Sequence, residues 1–145
     1  MHCITKLSRR LVQFQYSSFA KFTSNMTQPG TIDFEEICAG LESKSITYMD
    51  VRNQSELQSD GQIVGSVNLP LPEIIEAFAS PDADFKNKYG FEKPDKSAAL
   101  VVGCLAGKRA AAAGEQLEKL GFSNFRVYPG SFSDWKAKGG AISKP

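Results

Sequence analysis

Hydrophobic and polar positions along the chain follow the period of a helix in some segments and that of a strand in others. In "TIDFEEICAGL", apolar residues recur at helical spacing from Phe34 to Leu41, and Thr31 or Asp33 can cap the start of this helix. Cys38 lies on the apolar face of this predicted helix. We therefore expect it to pack in the core.

Four short apolar segments, "SITYMDV", "GSVNLPL", "AALVVGC" and "FRVYP", predict strands. The third is apolar throughout, as expected for a strand covered on both faces. Helices are predicted in "RNQSELQSDG", in "LPEIIEAF" with Pro72 in its first turn, around Phe85 to Tyr89, in "GKRAAAAGEQLEKLGF" and in "SFSDWKAKGG". Strands that alternate with helices indicate an α/β fold with a parallel sheet and helices on both faces.

Composition and charge narrow the class of protein. The chain has 145 residues, of which 41% are hydrophobic and 23% charged, as expected for one globular domain. No apolar run approaches the roughly 20 residues of a membrane span, so we expect no membrane partner. Residues 1–30 contain four basic residues and no acid, which leaves 13 basic and 16 acidic residues beyond them. This net negative charge argues against nucleic acid as a partner.

The first 25 residues are basic, rich in serine and free of acids, with scattered apolar residues. This composition is typical of a mitochondrial transit peptide, and a secretory signal would need a continuous apolar region that is absent. Alternatively, these residues form a disordered tail, or they are skipped when translation starts at Met26. We expect a mitochondrial protein, or a cytoplasmic one in the case of a start at Met26.

Cysteine and histidine usage excludes several chemistries. The chain has three cysteines and no Cys-x-x-Cys pair, which argues against a disulfide framework and against a zinc site. Its one histidine is His2, in the expected leader. A Cys-His hydrolase is therefore excluded, because no base is available. We expect no metal and no cofactor.

The strongest candidate for chemistry is Cys104, between the most apolar strand and the best helix. In parallel α/β sheets, ligands bind at the carboxyl ends of strands. The segment "CLAGKR" places small residues Ala106 and Gly107 where backbone amides can converge on an anion at a helix N-terminus, and adds the charges of Lys108 and Arg109. A thiol in this setting has a lowered pKa and becomes a nucleophilic thiolate without a histidine. The alternative interpretation is that Cys104 is only a small buried residue at the end of a strand.

Two related motifs do not match this loop. A nucleotide-binding P-loop needs one more residue between its glycines and a Ser or Thr after its lysine, whereas Arg109 follows Lys108 here. A cysteine phosphatase is the closer rival, but its loop has five residues between cysteine and arginine, and this loop has four.

Four segments in order resemble the rhodanese domain family. They are "YMDVRNQSEL", "GQIVGSVNLPL", "CLAGKR" and "YPGSFSDWKAKGGAI". The resemblance covers residues 31–142 and implies one rhodanese-like domain with a central parallel sheet of four to five strands. "DFKNKYGFEKP" and the Gly-Lys-Arg loop end resemble the small single-domain thiosulfate sulfurtransferases, including thiosulfate–thiol types.

The resemblance also implies a reaction and a set of site residues. Cys104 would take the outer sulfur of thiosulfate as a persulfide and pass it to a thiol such as glutathione, or to cyanide in an assay. The donor would bind at Leu105, Ala106, Gly107, Lys108 and Arg109. Leu105 departs from the arginine of many members and removes one positive charge, for which Lys108 and Arg109 compensate. Gln62 and Val64 replace the usual His and Pro in a turn.

Other interpretations stay open at this point. By analogy with the family, Asp50 and Arg52 orient the active loop through hydrogen bonds; otherwise they form a surface ion pair. The protein is expected to be a sulfurtransferase, with a persulfide carrier between protein thiols as the alternative. A non-catalytic binding module is disfavoured by the cysteine at position 104.

Overall fold

The computed structural model of the chain describes residues 30–145. The expected leader, residues 1–25, and Cys3 lie outside the described residues. The helices are α1 (Phe34–Ser43), α2 (Gln54–Asp60), α3 (Ile74–Ala79), α4 (Asp82–Tyr89), α5 (Lys108–Lys119) and α6 (Ser131–Ala137). The strands are β1 (Thr47–Asp50), β2 (Gln62–Ile63), β3 (Val67–Asn68), β4 (Leu100–Gly103), β5 (Phe125–Val127) and β6 (Ile142–Ser143).

A parallel four-stranded sheet in the order β3-β1-β4-β5 forms the centre of the fold. Thr31 adds a single isolated parallel bridge to Val127 at the edge of this sheet. β2 and β6 form a separate antiparallel pair. The predicted α/β class, with a central parallel sheet, is confirmed.

The sheet is covered on both faces by helices. One core cluster joins Val102 of β4 to Ala113 and Leu117 of α5, and also includes residues of α3 and α4. The other joins Tyr48 of β1 to residues of α1 and α6, including Cys38 and Trp135. Neighbouring positions on a strand point to opposite faces, so a strand buried between two helical layers is apolar throughout. This explains the uninterrupted apolar sequence of β4.

The predicted helices agree with the structure except in their lengths. Asp33 caps α1 by accepting a hydrogen bond from the Glu36 N–H at 2.9 Å. The helix expected from Leu71 to Phe78 is a 3-10 turn (Leu71–Glu73) followed by α3. The helix expected around Phe85 begins earlier, at Asp82. Among residues 30–145, no helix has both the length and the apolar character that crossing a membrane requires.

The register of the sheet brings together the residues that follow two neighbouring strands. Asp50 at the end of β1 pairs with Gly103 at the end of β4, directly before Cys104. The Asn68 side chain fixes the chain after β1 by donating hydrogen bonds to the carbonyls of Asp50 and Arg52, both at 2.9 Å. The carboxyl edge of the sheet therefore places Asp50, Arg52 and Cys104 close to one another.

Two buried tyrosines on one face of the sheet differ in their hydrogen bonding. The Tyr128 hydroxyl donates to the Asp134 carboxylate. The Tyr48 hydroxyl has no hydrogen-bond partner among the described residues, and it lies against Gly103, where a Cβ would be 1.7 Å from its oxygen. A buried hydroxyl without a partner costs about 1–3 kcal/mol.

The same substitution should therefore have opposite effects at these two positions. Tyr48→Phe should raise the free energy of unfolding by about 1 kcal/mol, because it removes an unsatisfied hydroxyl. Tyr128→Phe should lower it by a similar amount, because the hydrogen bond from the Tyr128 hydroxyl to Asp134 is lost. Urea unfolding of both variants checks this. A loss of stability in Tyr48→Phe equal to that in Tyr128→Phe would show that the Tyr48 hydroxyl is satisfied.

Candidate active site

Cys104 lies at the turn between β4 and α5, with its sulfur directed at backbone amides. Its Sγ accepts hydrogen bonds from the Gly107 N–H at 3.0 Å and from the Ala110 N–H at 3.4 Å. Gly107 caps α5 with a φ of +104°, and a Cβ there would lie 2.3 Å from the Pro129 carbonyl oxygen. Glycine is thus required at this position, and the turn that it makes wraps the helix N-terminus around the sulfur.

The first turn of α6 holds the other side of the loop. The Cys104 N–H donates to Ser131 Oγ at 3.0 Å, and the Cys104 carbonyl accepts from the Phe132 N–H at 2.9 Å. The Leu105 carbonyl accepts from the Ser133 N–H at 2.9 Å. Both polar groups of the Cys104 backbone therefore bind α6, while its side chain faces α5.

These contacts determine the ionisation of the Cys104 thiol. Burial raises its pKa, but hydrogen bonds from the amides of Ala110, Gly107 and Ala106 and from the Ser131 hydroxyl lower it more. The net result is a pKa below the ordinary value of a cysteine. Amide donors stabilise the thiolate because they interact more strongly with a charged acceptor than with a neutral thiol. A thiolate at this site needs no neighbouring base.

The two basic residues at the loop end have different environments. Lys108 is exposed, and so are Leu105 and Ala106. Arg109 forms a bidentate ion pair with Glu56 of α2, with nitrogen–oxygen distances of 2.7 and 2.9 Å. The Arg109 charge, which we expected to bind the donor, is therefore shared with a carboxylate, and Lys108 is the cation that faces solvent.

Asp50 and Arg52 form a buried ion pair, with side chains 1% and 0% exposed. The alternative of a surface ion pair is therefore wrong. The Arg52 guanidinium donates to both Asp50 oxygens and to the Gly61 carbonyl, so its hydrogen bonds go to these groups rather than to residues 104–109. Its Cζ lies 4.1 Å from the centre of the Phe132 ring. Any support for the loop is indirect, through the packing of Phe132.

The structure adds three residues to the site that the sequence analysis does not predict: Glu56, Ala110 and Ser131. In the sequence, Glu56 is only one residue of a segment that resembles the family, and its pairing with Arg109 joins positions far apart in the chain. Ala110 lies one helical position past the predicted loop, so the convergence of amides extends one residue further than expected. Ser131 belongs to a quoted motif, but nothing in the sequence shows that its hydroxyl meets the Cys104 amide.

A cavity of about 510 Å³ lies beside the loop. Its lining includes Ala106 and Gly107 of the loop, Ala111 and Gly114 of α5, and Phe125 and Val127 of β5. Among the described residues, no group of histidine, cysteine, aspartate and glutamate side chains could hold a metal ion.

The site is a loop between a strand and a helix in which backbone amides bind the sulfur of a cysteine. The family model described as the rhodanese-like domain matches residues 33–138. The chain belongs to the rhodanese-like domain family. Among relatives, thiosulfate sulfurtransferase/rhodanese-like domain-containing protein 3 of Mus musculus is 41% identical over 107 residues, which are 74% of this chain and 68% of the mouse protein.

Other rhodanese-family relatives carry names that specify an activity. The thiosulfate:glutathione sulfurtransferase of Saccharomyces cerevisiae is 34% identical over 123 residues, covering 85% of this chain and 87% of the yeast protein. The structure of the human single-domain sulfurtransferase matches with a TM-score of 0.72 and 31% identity, over 77% of this chain and 98% of that chain. Two yeast relatives, from Schizosaccharomyces pombe and Saccharomyces cerevisiae, are named as mitochondrial.

The Glu56–Arg109 pair makes the stability of this rhodanese domain depend on pH. The hydrogen bond from Arg109 lowers the pKa of Glu56 from 4.5 to about 2. A carboxyl group with a lowered pKa in the folded state contributes stability above its unfolded pKa, and this is lost as the pH falls through the folded pKa. The contribution is therefore complete above about pH 4.5 and disappears towards about pH 2.

Glu56→Gln should lower the free energy of unfolding at neutral pH by about 1 kcal/mol, because the pair is only partly shielded from solvent. The difference from the unsubstituted protein should shrink between about pH 4.5 and pH 2. Urea unfolding across this range measures it. Glu92→Gln is the control, because Glu92 pairs with Lys86 on the exposed surface, and it should have no measurable effect. Equal effects of the two substitutions would contradict the assignment.

Proposed function

We propose that this protein is a thiosulfate sulfurtransferase that carries sulfur as a persulfide on Cys104. The observation that supports this most directly is the sulfur of Cys104 accepting two backbone N–H bonds at the N-terminus of α5, at 3.0 and 3.4 Å. A thiolate stabilised in this way is a nucleophile that requires no general base. The names of its relatives indicate which donor such a nucleophile attacks.

The reaction consists of two nucleophilic displacements. The Cys104 thiolate attacks the outer sulfur of thiosulfate, the sulfur–sulfur bond of the donor breaks, and sulfite leaves with the electron pair. The outer sulfur is then bound to Cys104 as a persulfide. An acceptor thiolate attacks this sulfur, the persulfide bond breaks, and the Cys104 thiolate is regenerated. The loop amides stabilise negative charge on sulfur at each stage.

The loop residues divide these tasks. The backbone of residues 105–109, extended by Ala110, binds anionic sulfur through N–H groups. Lys108 attracts the dianionic donor from the exposed rim of the site. Arg109 holds α5 to α2 through Glu56 and contributes a weaker positive field, while Asp50 and Arg52 support the loop through Phe132.

For the acceptor we propose a small thiol of the glutathione type, as the name of the yeast relative suggests. The alternative is a protein thiol, which would make this protein a persulfide carrier. The exposed Leu105 favours neither acceptor by charge. The lowered pKa of Cys104 argues against a non-catalytic module, because a binding role has no need for a thiolate.

We further propose that residues 1–25 are a mitochondrial targeting leader and that residues 31–142 form the catalytic domain. The basic, acid-free composition of the leader and the mitochondrial names of two relatives support this. A fluorescent fusion of residues 1–25 should localise to mitochondria, and protein starting at Met26 should keep full activity. A diffuse cytosolic fusion would favour the start at Met26 instead.

Turnover assays with defined donors and acceptors test the proposed activity. Thiosulfate with glutathione or cyanide should give sulfite, and Cys104→Ser should abolish turnover, because an alcohol keeps its proton where no base is present. Cys38→Ala is the control: it should retain turnover, since Cys38 is buried between α1 and the sheet. Aryl phosphates should not be hydrolysed. Slow transfer to glutathione with fast transfer to protein thiols would instead favour the carrier function.

Lys108 should affect the binding of the donor more than the chemistry. Lys108→Ala should raise KM for thiosulfate about tenfold, which corresponds to about 1.4 kcal/mol. The KM for a singly charged thiosulfonate donor should rise less, because its attraction to the lysine is weaker. Lys119→Ala, at the opposite end of α5, should leave the KM for both donors unchanged. An equal rise in KM for both donors in Lys108→Ala would show that Lys108 acts on the shape of the loop.

A further inference from the structure

Ser131 combines three features that the fold alone does not require. It is fully buried at the start of α6, it has a φ of +53°, and its hydroxyl binds the backbone of Cys104. Glycine adopts this backbone conformation freely, whereas other residues are strained in it. Strained residues that persist in a structure cluster at functional sites. The position thus holds a serine where glycine would be the relaxed choice.

The hydroxyl of Ser131 has two acceptors for its single proton. Its oxygen accepts the Cys104 N–H at 3.0 Å, which fixes the oxygen in place. It donates to the Tyr128 carbonyl at 2.8 Å, and it also lies 3.8 Å from Cys104 Sγ. Rotation about the Cβ–Oγ bond is sufficient to redirect the proton from the carbonyl to the sulfur. No covalent bond forms or breaks in this motion.

A negative charge on sulfur would favour the second orientation. A thiolate or persulfide anion is a stronger acceptor than a neutral thiol, so the hydroxyl gains from turning to it. Gly107 and Ala110 approach the sulfur from α5, whereas Ser131 approaches it from α6. The hydroxyl therefore supplies a donor from a direction that α5 does not cover.

We propose that Ser131 is a positioning residue for Cys104: its oxygen fixes the Cys104 amide, and its proton turns to the sulfur when the sulfur is anionic. The inference rests on the proposed persulfide chemistry for its role in turnover. The positioning itself concerns the thiolate alone and can be measured without any sulfur donor.

Two substitutions separate the hydroxyl from the backbone strain. Ser131→Gly removes both, and Ser131→Ala removes the hydroxyl and keeps the strain. Ser66→Ala is the matched control, because the Ser66 hydroxyl also donates to a carbonyl three residues earlier, that of Ile63, at 2.7 Å. The ionisable groups that act on the Cys104 charge, Arg109 of α5 and Tyr48 of β1, are unchanged in all three variants.

The experiment is the rate of alkylation of Cys104 by iodoacetamide as a function of pH in the full chain. Peptide mass spectrometry follows Cys104 separately from Cys3 and Cys38. The midpoint of the pH dependence of the alkylation rate should rise by roughly half to one pH unit in both Ser131 variants. It should not change in Ser66→Ala. Both Ser131 variants should lose stability, because the Cys104 N–H and the Tyr128 carbonyl lose their partner. Ser131→Gly should unfold at a higher urea concentration than Ser131→Ala, because glycine alone relieves the backbone strain.

The outcome for Ser131→Gly decides the proposal. A raised midpoint in Ser131→Gly, at a pH and temperature where this variant is fully folded, supports a positioning role, because a merely structural serine would change only the stability. An unchanged midpoint would overturn it. If no donor supports turnover by the unsubstituted protein, the proposed function fails, while the alkylation midpoint still reports on Ser131.

Discussion

The hydrogen bonds from the amides of Gly107 and Ala110 to the sulfur of Cys104 are the interaction on which the site depends. They exist because a parallel strand ends beside the N-terminus of the helix that follows it, and because glycine turns the chain sharply between the two. Amides at a helix N-terminus have no partners within the helix and carry partial positive charge. The backbone itself therefore lowers the pKa of a cysteine at this point.

Both ends of this arrangement are anchored by parts of the chain that lie far away in sequence. The first turn of α6 binds the amide and the carbonyl of Cys104, which fixes the peptide groups on both sides of this residue. The Glu56–Arg109 pair ties the start of α5 to α2. Arg52, which forms a buried ion pair with Asp50, packs its guanidinium against the Phe132 ring. The loop is therefore preorganised, and its backbone amides do not have to reorient as charge develops on sulfur.

The sequence was sufficient for the parts of the structure that depend on local patterns. The apolar run of β4, the glycine at position 107 and the alanine-rich helix predict a strand, a turn and a helix in order, and so place Cys104 at the edge of the sheet. The roles of Arg109 and of Asp50 with Arg52 were harder to predict, because they depend on partners. A guanidinium that faces solvent and one that binds Glu56 have the same sequence signature. Ser131 was not predictable, because its positive φ and its contact with Cys104 follow from the tertiary packing of α6.

The central claim is that Cys104 alone carries the sulfur, and mapping of the transferred atom tests it most directly. The purified protein is treated with thiosulfate in the absence of an acceptor, and its intact mass and its peptides are measured. We expect a gain of one sulfur atom, located on Cys104 and removed by cyanide or glutathione. Sulfur located on Cys38, or a protein that gains no sulfur while it still turns over thiosulfate, would contradict it.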